Sequence, residues 1–204
     1  MSDSDRIKWD AHYRGRPCRA LAEPNPLLVE WLPRLEIDSA SPLAADVACG
    51  PGRHALYLAR HGWRVDALDI SAVALAGLAA AARSESLKVT CLLRDFEPVP
   101  PATIRPFDPE RYDLAVMMRY TNLPLIEKLA AAIRPGGYLI AEAYLKSAEP
   151  GGGPANPAYR VAPGEFEAVA ARSFDIVACR EAVAAGHAGR DAAVVQIIAR
   201  RPGR

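Results

Sequence analysis

The chain has 204 residues, 50% of them hydrophobic and 24% charged, enough for one domain with a sizeable core. A formal net charge of +1 excludes a bulk electrostatic attraction to nucleic acid or to an acidic membrane. The four cysteines form no C-x-x-C pair, which argues against a zinc knuckle or a disulfide framework, and no apolar run reaches the roughly 18 residues of a membrane span.

Residues 3–14 read as a helix that Asp3 or Ser4 caps, with Ile7, Trp9 and Tyr13 as its bulky members. Arg14-Gly15-Arg16-Pro17 breaks it, and Pro24-Asn25-Pro26 leads into a short helix carrying Leu27, Leu28, Trp31 and Leu32 on one face. An apolar run at 43–48 predicts a first strand. Gly50-Pro51-Gly52 stops it, and Ala55, Leu56, Leu58 and Ala59 mark the next helix. A second strand over 63–68 ends at Asp69, and Ser71 caps a helix over 72–83. Residues 87–93 predict a third strand that meets Asp95, followed at 97–110 by a proline-rich irregular loop. A fourth strand is expected at 112–118, a helix at 124–134, and a fifth strand at 138–144 after Pro135-Gly136-Gly137. Residues 147–157 are too rich in Gly and Pro for regular structure and are expected to be a mobile loop. A short helix at 163–171 precedes strands at 174–183 and 191–200, joined as an antiparallel hairpin by a turn at 185–190. Strands alternating with helices predict an α/β, Rossmann-like, seven-stranded, mostly parallel sheet covered on both faces and closed by the C-terminal hairpin.

The chemistry concentrates in residues 46–71. A strand, a glycine turn, a helix and a second strand with an acidic end make half of a nucleotide-binding βαβ unit. Gly50 and Gly52 are expected to let the backbone approach a ligand, and Asp69 to accept hydrogen bonds from both hydroxyls of a ribose. The free cysteines are expected as small core residues, with Cys49 set apart by its place beside the glycine turn. His61 and His187 have no partner in these motifs.

Asp46-x-x-x-Gly50-x-Gly52, Asp69 ending strand two, Asp95 after strand three, Tyr112-Asp113 opening strand four and Pro135-Gly136-Gly137 before strand five resemble class I S-adenosylmethionine methyltransferases. Trp9-x-x-x-Tyr13-Arg14, Gly52-Arg53-His54 with the helix that follows, and Val65-x-Ala-Leu-Asp69-Ile-Ser71 resemble the small tellurite-resistance and thiopurine-type methyltransferases, with His54 where that subfamily commonly has Asn. The resemblance implies a single domain over 1–204, with 1–40 as a helical cap or lid and 41–204 as the core. It implies S-adenosylmethionine as cofactor, held by Asp46, Ala48, Cys49, Gly50, Gly52, Asp69, Ile70, Asp95, Phe96 and Met117. Asp46 would orient the turn or bind the cofactor's amino group, Asp95 would accept from the adenine amine, and Phe96 and Ile70 would flank the ring. His12 and Tyr13 would fold over the cofactor or serve as a packed structural helix. No metal is implied.

Arg119 and Tyr120 are the candidate substrate-positioning residues, since a guanidinium after strand four suits an anionic acceptor; pairing of Arg119 with Glu142 is the alternative. Tyr144, Tyr159 and Arg160 are candidate pocket walls. The chain has Met118-Arg119-Tyr120-Thr121-Asn122 where base- and glutamine-methylating relatives have Asn/Asp-Pro-Pro-Tyr/Phe. The expected acceptor is a small molecule, a thiol or a chalcogen oxyanion such as tellurite or selenite, and not nucleic acid or membrane. A cytoplasmic monomer or homodimer is expected. A nicotinamide-dependent oxidoreductase is a competing reading, because Gly50-x-Gly52-x-x-Ala55 also satisfies the dinucleotide fingerprint, and a non-catalytic cofactor binder is another.

Overall fold

The computed structural model describes residues 3–14, 23–97, 107–146, 151–185 and 190–203. The break at 15–17, Cys18, most of the proline-rich loop (98–106), residues 147–150, the hairpin turn at 186–189 and His187 lie outside them. The helices are α1 (Asp3–Tyr13), α2 (Pro26–Trp31), α3 (Arg53–Arg60), α4 (Ala72–Ser84), α5 (Leu123–Ala132) and α6 (Glu165–Ala170). The strands are β1 (Leu43–Val47), β2 (Arg64–Asp69), β3 (Val89–Leu93), β4 (Tyr112–Met118), β5 (Ile133–Leu145), β6 (Arg160–Val161), β7 (Asp175–Ala185) and β8 (Asp191–Arg200).

Local chemistry starts three of these helices. Asn25 caps α2 by accepting from Leu27 N, with Pro26 pre-set at the first helical position. Ser71 Oγ accepts from Ala74 N to start α4, and Asn122 Oδ1 accepts from Leu125 N to start α5. The central strands β1 and β4 are buried along their whole length, as unbroken apolar runs covered on both faces require.

The sheet runs β3-β2-β1-β4-β5-β8-β7, and only β8 is antiparallel to its neighbours. Leu27, Leu28, Leu56, Leu58 and Leu78 of α2, α3 and α4 pack one face. Leu125, Ile126, Leu129, Phe166 and Ala170 of α5 and α6 pack the other. The fold is therefore the expected Rossmann-like one with its closing hairpin. Chain order reverses between β1 and β4, so their carboxyl ends splay apart and open a crevice.

Two details differ from the sequence reading. The two-residue strand β6 pairs in parallel with Tyr144 and Leu145 of β5, where only a loop was expected. Also, α5 ends at Ala132, and β5 already pairs at Ile133 before its register shifts to Tyr138. Pro135-Gly136-Gly137 is thus a bulge inside the strand rather than its start. Gly136 takes a φ of 80°, and a Cβ on Gly137 would lie 2.7 Å from Ile133 Cγ2 and 2.8 Å from the Asp113 carbonyl oxygen.

Candidate active site

The crevice is walled on one side by the turn after β1. Ala48, Gly50 and Gly52 there take φ values of 53°, 54° and 82°, a run of left-handed backbone that folds the chain tightly into α3. Ala48 is the residue for which this is costly, and such strain is held where structure around it fixes the turn. Two buried carboxylates do the fixing. Asp46 Oδ2 accepts from Ala55 N at 2.9 Å, which caps α3 in place of a side chain at Gly52. Asp69 accepts from Gly50 N at 2.7 Å and from Ser71 N at 2.8 Å, tying the turn to the end of β2.

Both carboxylates are hard to ionise. Asp46, 1% exposed, is pushed up to about 7 by burial, and the nearby Asp69 charge adds to the rise. Burial likewise raises Asp69, against the pull of its backbone donors. Among the described residues no lysine or arginine forms an ion pair with either. His54 Nδ1 lies 4.0 Å from Asp46 Oδ1, but burial, with the charges of Arg53 and Arg119, holds that imidazole down to about 3. The contact is therefore dipolar and not ionic. His54 is 5% exposed, and its Nε2 has no hydrogen-bond partner among the described residues.

The glycines have unlike roles. A Cβ on Gly50 would sit 2.8 Å from the Tyr13 hydroxyl, so the turn is bare where α1 passes over it. A Cβ on Gly52 would lie 2.3 Å from Leu78 Cδ1, so this glycine also lets α3 pack closely against α4. Helix α1 is itself anchored through Asp10, whose Oδ1 accepts from Ser71 Oγ at 2.7 Å and Val73 N at 3.3 Å. Its Lys8 ammonium stands 5.7 Å from the Tyr159 ring centroid, so α1 reaches from α4 towards the turn before β6.

The opposite wall is the end of β4. Arg119 has a φ of 59°, its N–H donates to the Glu142 carbonyl, and its Nε donates to Glu142 Oε1 at 2.9 Å. The pairing with Glu142 is the alternative weighed from sequence. Glu142, wholly buried, also accepts from Asn25 Nδ2 at 2.8 Å and Gln196 Nε2 at 2.7 Å. The Arg119 guanidinium lies 5.6 Å over the Tyr144 ring. Tyr120 donates to Glu97 Oε1 at 2.8 Å, and burial raises its phenol well above the ordinary range, so it remains a neutral hydroxyl.

The remaining expected contacts are placed as follows. Asp95 Oδ1 accepts from Glu97 N at 2.8 Å, in a local turn. Phe96 is buried beside Phe107 and Tyr120, with its carbonyl accepting from Asn122 Nδ2. Ile70 is half-buried at the end of β2. The Met117 side chain is fully buried in the core under α5. Cys49 is buried, donates weakly to the Gly50 carbonyl, and is held as a thiol by burial. Sequence reasoning passed over Asn25, Gln196 and Arg53, and read Glu142 only as a partner for Arg119. The available signal was a lone carboxylate inside the apolar run of β5.

These residues suit a ligand that brings hydroxyl donors and a positive charge to Asp69 and Asp46. Residues 44–137 match the family model described as a methyltransferase domain. No curated protein matches the chain. Its fold is similar to TehB from Haemophilus influenzae, at 19% identity and a TM-score of 0.69, over 87% of this chain and 62% of that one. A SAM-dependent methyltransferase from Methanosarcina mazei is similar at 20% identity and a TM-score of 0.69, over 89% of this chain and 100% of that one. A third solved structure, titled for the conversion of a disulfide bond into a thioacetal group during echinomycin biosynthesis, is similar at 20% identity and a TM-score of 0.71, over 97% and 93%.

Proposed function

We propose that this chain, whose residues 44–137 carry a methyltransferase domain with S-adenosylmethionine as its cofactor, transfers the methyl group to a small-molecule acceptor of sulfur or chalcogen type. The observation that carries this reading is the buried pair Asp46 and Asp69 beside the bare glycine turn, neither of them in an ion pair with a lysine or arginine among the described residues. The cofactor has an amino group and a sulfonium to offset that charge and a ribose diol to donate to Asp69. When bound, it supplies an electrophilic methyl carbon on a sulfonium that departs as a neutral thioether.

The chain's own residues have four tasks in this reading. Asp69 holds the ribose and Asp46 the amino group, while Ala48, Cys49 and Gly50 shape the turn. Asp95, Ile70 and Phe96 border the adenine. Arg119 and Tyr120 position the acceptor at the other wall. Helix α1 closes over the crevice through Tyr13 and excludes water, which strengthens the electrostatics inside. No residue needs to remove a proton from an acceptor that is already a thiolate or an oxyanion. The acceptor held by Arg119 and Tyr120 would receive the methyl group that the cofactor, held by Asp46 and Asp69, would supply. The likeness to a structure from the conversion of a disulfide bond into a thioacetal group in echinomycin biosynthesis supports a sulfur acceptor. Any homodimer would form along the open edge of β7, where Val177 and Val183 are exposed.

Turnover tests the reading. Incubation with methyl-tritiated cofactor and a panel of small thiols, selenite and tellurite should label at least one acceptor. Cofactor binding without labelling of any of them would favour a non-catalytic binder, and binding of NADH in its place would favour the oxidoreductase.

A further inference from the structure

We infer that Arg53 and Arg119 form a two-guanidinium subsite that selects acceptors carrying an oxyanion. The inference rests on the methyltransferase reading and names the specificity residues of that same crevice. Arg119 spends its Nε on Glu142, and its side chain remains 20% exposed, so the outer nitrogens of the fork are left for Tyr144 and a ligand. Arg53 opens α3 on the facing wall, is half-buried, and donates Nη1 to the Glu23 carbonyl at 3.3 Å. Among the described residues no carboxylate forms an ion pair with it.

The Arg119 charge bears on Arg53, while Arg119 itself is held charged by Glu142 and Tyr144. Burial lowers the Arg53 pKa, and the Arg119 charge is the next cause. Both charges also bear on the buried His54 and on Tyr144. A third guanidinium, Arg160, pairs across from Tyr144 in β6 and, among the described residues, donates to the carbonyls of Pro154 and Leu145. Against three arginines the cluster sets two carboxylates: Glu142, whose oxygens already serve Asn25 and Gln196 as well, and Asp46, whose charge also reaches Arg53. Half-buried like charges are unfavourable unless a counter-charge joins them. Asp46 is a poor one, because its own protonation is favoured to about 7. The orphaned Nε2 of His54 is a second unmet demand in the same place. An oxyanion meets the excess charge, and the guanidinium fork binds it through paired hydrogen bonds.

The test is calorimetric titration of protein saturated with S-adenosylhomocysteine. Sodium selenite and mercaptoacetate are the two oxyanion probes, one inorganic and one an organic thiol, and neutral mercaptoethanol is the control. At least one oxyanion should bind, about tenfold or more tighter than the control. Arg53→Gln and Arg119→Gln should each weaken that binding by about tenfold or more, with Arg119→Lys in between. Affinity for S-adenosylhomocysteine should change by less than about twofold, because the predicted contacts are to the acceptor. Equal binding of mercaptoethanol, no binding of either oxyanion, or unchanged oxyanion binding in both glutamine variants would overturn the inference. A parallel loss of S-adenosylhomocysteine affinity would also overturn it, by assigning the arginines to the cofactor. Failure of the wild-type protein to bind S-adenosylhomocysteine at all would instead remove the methyltransferase reading beneath it.

Discussion

At the residue scale, Asp46 does two things that conflict. It must reach into the protein to cap α3 through Ala55 N, and that same burial penalises its charge. Its folded pKa of about 7 stands above the ordinary aspartate value of 3.8. A raised pKa stabilises the folded state fully only below the unfolded value, and that contribution is lost as pH climbs towards the folded value. Asp46→Asn keeps an oxygen for the Ala55 N–H and cannot ionise. Urea unfolding from pH 4 to 8 should therefore show the variant gaining on the wild type up to about pH 7, by on the order of a few kcal/mol. Parallel stability curves would mean that Asp46 ionises freely in the folded chain. Asp46 and Asp69 were legible in the sequence because they flank a glycine turn at fixed spacing. Glu142 was legible only as a candidate partner for Arg119, because its other partners Asn25 and Gln196 lie 117 and 54 positions away.

At the element scale, α3 owes its start to an unusual division of labour. Gly52 supplies a left-handed φ of 82° and room for Leu78, while Asp46 supplies the cap. Gly52→Ala should cost about 2–4 kcal/mol, combining overpacking with left-handed strain, as read by urea unfolding. A loss below about 1 kcal/mol would mean that α3 and α4 separate easily to admit a methyl group. The helices with side-chain caps, α2, α4 and α5, were readable from Asn25, Ser71 and the Pro124 turn. The bulge at Gly136 and Gly137 and the strand β6 were not. The first depends on what a Cβ would strike across the sheet, and the second has only two residues to carry a pattern.

At the scale of the whole molecule, the strand order places the two walls together. Reversal between β1 and β4 brings the turn at Ala48–Gly52 opposite Arg119, although β2, α4 and β3 intervene in sequence. Strand alternation made this architecture legible, whereas the packing of α1 over Gly50 needed tertiary contacts such as Asp10 to Ser71. Among the described residues no helix is long and apolar enough to cross a membrane. The central claim is that the crevice between these walls is a cofactor site read by Asp69. Calorimetric titration with S-adenosylhomocysteine tests it most directly. The account predicts one site per chain, no binding of NADH, and a loss of about tenfold or more in affinity for Asp69→Ala at unchanged stoichiometry. Absence of S-adenosylhomocysteine binding, or binding that Asp69→Ala leaves intact, would contradict it.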